Sequence, residues 1–448
     1  MKFERISIAE GLSQSYVYDI TQDQNGFIWI ATQDGLNRYD GKNFVYYRHD
    51  SSDQSSIADN FIRKLFIDKQ NVLWVGTNNG LSRYNEALDS FENFFHQTND
   101  SNSLKDNQIW DIYQDQQGDI WVSTMEGLHK FDAENNDFSR IRIRGYENAL
   151  KEIKTIFQDR KGNYWLGTFD KGIYLANSTL SFAISLSDKN KWNLNLDVDA
   201  LYDLKFIDNQ YWLGTNKGLY IVSQDYKIIK HYSENSPNKS SKILSNQVRS
   251  IENLDSTSIW LGTSKGLISI NLLTGRLTEH QSYQHKNSLS YNLILKIFKD
   301  RTNKIWLGTN GGGINTFNPL QLAITHGLFN YNDTRQAVYA FVETSDGITW
   351  FTTDNGQLNK VGHDGSINQI QIENTTPISH LFADKNDNLW FKTLPGKLYF
   401  YNVSDKRLIE NKVWEKSQSS TGIDYSNLLL IDNKIWFLDN NQILASFN

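Results

Sequence analysis

Strand-length runs rich in Ile, Val, Tyr, Phe and Trp alternate along the chain with Asp, Asn and Gly. The first copy reads YVYDITQD (16–23), a turn QNG, FIWIAT (27–32), a turn QDG, LNRYD, a turn at Gly41 and NFVYYRH. Such runs, bounded by turn formers, predict hairpins of four short strands and leave no room for a helix of ten or more residues at 3.6 periodicity.

Tryptophan marks the period. Trp29, Trp74, Trp121, Trp165, Trp212, Trp260, Trp306, Trp350, Trp390 and Trp436 follow one another at intervals of 40 to 48 residues. Repeats of that length holding four antiparallel strands predict the blades of a propeller. WVGT (74–77) and WLGT (165–168, 212–215, 260–263 and 306–309) are near-identical, and WIAT (29–32) and WVST (121–124) differ at the small residue. Alternate residues of a strand share a face, so the Trp and the small residue two positions on point the same way. The small residue is expected to make room for large aromatic side chains of the neighbouring blade. Ala31, Gly76, Ser123, Gly167, Gly214, Gly262 and Gly308 obey this rule, while Thr352, Lys392 and Leu438 break it. The expected fold is therefore all-β. A seven-bladed β-propeller of four-stranded antiparallel blades spans 1–320, and 321–448 holds the first three blades of a second, incomplete propeller. That arc would expose sheet edges, so the polypeptide is expected to continue beyond Asn448. A single ring of ten blades is the alternative.

Composition narrows the function. Net charge is -6 with scattered Lys and Arg, which disfavours nucleic acid as a partner. The absence of cysteine removes disulfides, thiolate metal sites and a Cys nucleophile. No apolar run is long enough to insert this chain in a membrane, and the start MKFERISIAEGLSQ does not read as a signal peptide.

The tempting chemical residues belong to the repeat. Asp23, Asp68, Asp115, Asp159 and Asp300 each stand six residues before a Trp, where an aspartate carboxylate binds the backbone of a tight turn. His49, His96, His231 and His280 end fourth strands, and Asn60, Asn107, Asn246 and Asn292 precede first strands, so structural roles are expected for both sets. The NNG and GGG segments near Asn79 and Asn310 lack the strand-to-helix setting of a phosphate loop. No catalytic, metal or cofactor site is read. One position into the first strand, however, the seven copies vary as Tyr18, Arg63, Trp110, Lys154, Tyr202, Arg249 and Leu295. First strands line a propeller's channel, so the first six are candidate ligand-binding residues around its mouth. Aromatic faces and forked donors suit a sugar or an acidic oligosaccharide; plugging of the channel is the competing role.

GLSQSYVYDITQDQNGFIWIATQDGLNRYDG and its echo NQIWDIYQDQQGDIWVSTMEGLHKFD (107–132) resemble the two-component regulator propeller repeat, strongly over 1–320 and weakly over 321–448. The resemblance implies the extracytoplasmic, periplasmic sensor portion of a bacterial membrane receptor with a histidine kinase or diguanylate cyclase output. It also implies a small-molecule or oligosaccharide ligand and a possible homodimer through the full receptor. Binding rather than catalysis is expected. A propeller enzyme such as a polysaccharide or macrolactone lyase, or a protein-interaction scaffold, is the alternative.

Overall fold

In several copies one carboxylate organises the Trp-bearing hairpin. In the computed structural model of the protein, Asp23 Oδ1 accepts the backbone N–H groups of Asn25 and Phe27 at 3.0 Å, and its Oδ2 accepts Trp29 Nε1 at 2.7 Å. The same Asp–Trp bond recurs at Asp68–Trp74 (2.9 Å), Asp115–Trp121 (2.8 Å) and Asp300–Trp306 (2.8 Å). In the fourth copy Asp159 keeps its turn bonds to Lys161 and Asn163 but gives its other oxygen to the Tyr226 hydroxyl. Trp165 Nε1 is then buried without a partner. Replacing Asp68 with Ala orphans the Trp74 donor and two turn N–H groups, so a loss of about 2 kcal/mol is expected, with Asp68→Asn costing less. Urea midpoints measure both, and an unshifted Asp68→Ala midpoint would mean the hairpin holds without the carboxylate.

The structure describes residues 2–144, 151–187, 196, 198–283, 288–319, 338–353, 356–362, 367–370, 378–393, 397–410, 429–431, 434–438 and 444–447. Among them the strands pair into nine four-stranded antiparallel sheets and one three-stranded sheet. The first sheet runs Val17–Gln22, Ile28–Thr32, Gly35–Tyr39 and Phe44–Tyr47. The first strands of the next six are Ile62–Ile67, Ile109–Gln114, Ile153–Gln158, Leu201–Ile207, Val248–Asp255 and Ile294–Lys299.

This pairing corrects the expected architecture. The sheets are separate, and none is closed into a barrel or a propeller, so neither the seven-bladed β-propeller nor the partial second one describes the strand ladders. The physical reason is that each ladder stops after three or four strands, and the bonds between neighbouring sheets run outside the ladders, as from the Leu65 N–H to Asp19. The seventh sheet also departs from the repeat. Ile294–Lys299, Ile305–Thr309 and Ile314–Phe317 take their fourth strand from Glu4–Ile6 at the other end of the sequence, paired through Glu4–Thr316 and Ile6–Ile314.

The glycine two positions after the Trp has a packing role, although its neighbours are not the aromatics expected. A Cβ on Gly76 would lie 2.8 Å from Ile109 Cγ2, one on Gly167 2.5 Å from Leu201 Cβ, and one on Gly308 2.8 Å from Val17 Cγ1. The aliphatic residue opening a first strand thus sits directly on the glycine of another sheet. Val17, Ile62, Ile109, Ile153, Leu201, Val248 and Ile294 are all fully buried.

The chain divides into two compact units, Met1–Thr325 and His326–Asn448. The expected boundary at 320/321 lies outside the described residues. In the second unit Trp350 packs with Ile378, Leu381, Phe391 and Tyr399. Thr352 at the small position lies close to the Ile378 backbone, its Oγ1 donating to Ile378 O at 3.3 Å, and Lys392 is buried.

Candidate functional site

The first strands share one irregularity at the same place. Val17 pairs with Thr32 and Asp19 with Ala31, leaving Tyr18 as an extra residue in the ladder. The same slip skips Arg63, Trp110, Lys154, Tyr202, Arg249 and Leu295 in the next six sheets. A bulge residue is freed from the ladder and its side chain is re-aimed. All seven side chains are half-buried, beside fully buried neighbours at the preceding position.

Six of these residues form a nearly continuous strip. The Tyr18 ring lies 5.0 Å from the Phe61 ring, and the Arg63 guanidinium lies 4.7 Å from Phe61 and 4.3 Å from the Trp110 ring. Lys154 Nζ lies 4.3 Å from the same Trp110 ring and 4.0 Å from Phe169. Arg249 stacks on Tyr202 at 4.8 Å. Its charge reaches Lys154, whose amine is pulled down to about 8 by burial first and then by Arg249 and Arg63, with Glu152 opposing. Arg63 is fixed by Asn78 Oδ1, which accepts from Nη2 at 2.8 Å, and Arg249 by Gln247 Oε1 at 3.1 Å. Leu295 adds no polar group. Phe61, Phe169 and Asn78 were not singled out from the sequence. Phe61 precedes a first strand and the other two follow the Thr of a second strand, positions whose role depends on how sheets pack.

One residue further along, the first strands hold charges that tie the sheets together. Asp19 Oδ1 pairs with Lys296 Nζ at 2.8 Å and Lys64 Nζ with Asp111 Oδ1 at 2.8 Å. Asp19 also accepts the Leu65 N–H of the second sheet, Asp111 that of Ile156 and Asp203 that of Ile251. Burial alone would raise the Asp19 carboxyl, but Lys296 and Lys64 hold it below its usual range. These bonds tie neighbouring first strands together one residue along from the strip.

Two of the repeated histidines and the four asparagines serve the connectors, whereas His231 stacks on Tyr220 and His280 Nε2 is buried without a partner. His49 and His96 each bind a carbonyl eight residues on, Ile57 and Leu104. The side-chain oxygens of Asn60, Asn107, Asn246 and Asn292 accept the N–H groups of His49, His96, Glu234 and Ser282. Each Asn thereby pins the far end of its own loop. Two surface hollows, of about 570 Å³ beside His49 and Phe95 and about 700 Å³ beside Arg83 and Lys130, lie away from the strip.

The family described as Two component regulator propeller matches residues 11–34, 56–79, 103–126 and 150–170, the Trp-bearing segments of the first four sheets. The chain is homologous to this family. A histidine kinase P4 of Formosa agariphila is 46% identical over 56 residues, covering 12% of this chain and 4% of that protein. Among solved structures, the extracellular domain of the putative hybrid two component system BT3049 from B. thetaiotaomicron matches with a TM-score of 0.61 at 22% identity. The match covers 98% of this chain and 58% of that one. The corresponding domain of BT4673 from the same organism matches with a TM-score of 0.56 at 20% identity, over 99% and 58%. The chain thus spans 58% of the length of these solved relatives and shares their fold. Among the described residues no helix is long and apolar enough to cross a membrane.

Proposed function

We propose that the chain is part of the extracytoplasmic, periplasmic sensor region of a two-component or related receptor, and that it binds a saccharide on the bulge strip without catalysing its turnover. The observation that carries this reading is the strip itself. Aromatic rings at Tyr18, Phe61, Trp110, Phe169 and Tyr202 alternate with the cations Arg63, Lys154 and Arg249. Rings offer flat apolar faces to a pyranose, and the cations offer donors to its oxygens. The homologous family and the extracellular domains sharing the fold support the receptor setting. Signalling would follow from a difference in ligand affinity between two receptor states.

Trp110 is the central ring of the strip, so Trp110→Ala is expected to weaken oligosaccharide binding about 30-fold, the scale of an interface hot spot. Calorimetric titration across a panel of neutral and charged oligosaccharides measures this, with the urea midpoint as control. Equal binding by the variant would remove the strip as the site, and turnover of any panel member would favour a lyase instead.

A further inference from the structure

The strip holds more positive charge than the protein neutralises. Among the described residues, none of Arg63, Lys154 and Arg249 has a carboxylate within ion-pair distance, although Lys296, Lys64, Lys205 and Lys217 all do. Asp59 and Glu152 act on Arg63 and Lys154 only from further off. Two donors of the strip are also orphaned. Trp110 Nε1 and Arg249 Nε are both buried and have no hydrogen-bond partner. A buried donor without an acceptor costs about 1–3 kcal/mol, and like charges crowded in a half-buried site repel one another. Both defects are relieved by one kind of guest, an acceptor carrying negative charge.

We infer that Arg63, Trp110, Lys154 and Arg249 form an anion subsite that takes a carboxylate or sulfate group of the ligand. This deepens the proposed saccharide reading and rests on it for the rest of the ligand. The guanidinium groups supply forked N–H donors matched to two oxygens of such a group, and Trp110 Nε1 supplies a further donor. Lys154 adds a point charge held between two aromatic faces. The anion's charge replaces the counter-ion that the fold omits.

Lys154 makes the subsite sensitive to pH, since its amine titrates near 8 while facing Arg249, Arg63, Glu152, Trp110 and Phe169. Its charged form exists below that pH and is the form an anion favours. Binding must therefore raise the Lys154 titration point and draw in a proton near pH 8. Affinity should be flat below about pH 7 and fall up to about tenfold per pH unit above 8.

Inorganic sulfate and acetate, titrated separately into the full chain against chloride at constant ionic strength, test this. The readout is the NMR signal of 13C-dimethylated Lys154, assigned by its loss in Lys154→Arg. Saturation by sulfate, acetate or both, an upward move of the Lys154 titration by a pH unit or more, and about tenfold weaker binding in Arg249→Gln are expected. Sulfate alone would identify a sulfate ester, and acetate alone a carboxylate. A non-saturating drift equal to that with chloride, or equal affinity in Arg249→Gln and in Arg249→Lys, overturns the anion subsite. The titration contains no sugar, so its outcome is independent of the Trp110→Ala oligosaccharide test. Neutral oligosaccharides binding as tightly as their uronate counterparts would likewise overturn the subsite while leaving the saccharide reading intact.

Discussion

Gly214→Val is expected to cost about 3 kcal/mol and to lower the urea midpoint of the first unit accordingly. The Cβ alone would lie 2.7 Å from the Val248 backbone oxygen and 3.2 Å from its Cγ1. A flexible side chain can turn away from an intruding methyl group. The Val248 carbonyl belongs to the first strand of the next sheet, where Val248 pairs with Thr263, so it moves only if the sheet moves. The two branching methyls enlarge the overlap, and Gly214→Ala should fall between wild type and Gly214→Val. Were the valine variant to unfold at the wild-type midpoint, the spacing between these sheets would not depend on the missing side chain.

Removal of residues 1–6 is expected to destabilise the seventh sheet before any other. Glu4–Ile6 is its fourth strand, and Phe3 is buried against Trp260 and Phe317, its ring 6.0 Å from the Phe317 ring. Phe3→Ala alone should cost about 4 kcal/mol through lost burial and the cavity left behind. Deletion adds the loss of a whole ladder and leaves Ile314–Phe317 as an unprotected edge. Hydrogen exchange should accelerate first at residues 305–317, and a peptide of residues 1–10 added in trans should restore part of the protection. Uniform acceleration across all sheets would argue against a local role for the segment.

Much of the candidate site was legible before the structure. The variable position after the leading apolar residue stood out because its neighbours repeat while Tyr18, Arg63, Trp110, Lys154, Tyr202 and Arg249 do not. The reason for that freedom was not legible. It is the bulge, which removes this residue from the ladder and so from the constraint that alternation imposes on the rest of the strand. Phe61, Phe169 and Asn78 escaped notice because each lies at a strand boundary, where a sequence reads as loop. Their proximity to Arg63 and Lys154 arises between different sheets.

The repeating hairpins, the turn aspartates and the small residue after each of the first seven Trp were determined by the sequence alone. The first two depend on residues within one copy, where chain connectivity already brings the groups together, and the third recurs because each of these copies meets the same kind of neighbouring strand. The closed architecture inferred from those repeats did not follow, because a repeat states what one sheet contains and leaves open how ladders end. Which strand completes the seventh sheet was decided only by tertiary structure, across some 310 residues between Glu4 and Thr316. The aliphatic partners of the glycines and the pairing of Asp19 with Lys296 were decided there as well. The same is true of the charge left unmatched among Arg63, Lys154 and Arg249. Charge balance at a site depends on what lies within a few ångströms in space, and composition records only what the whole chain carries.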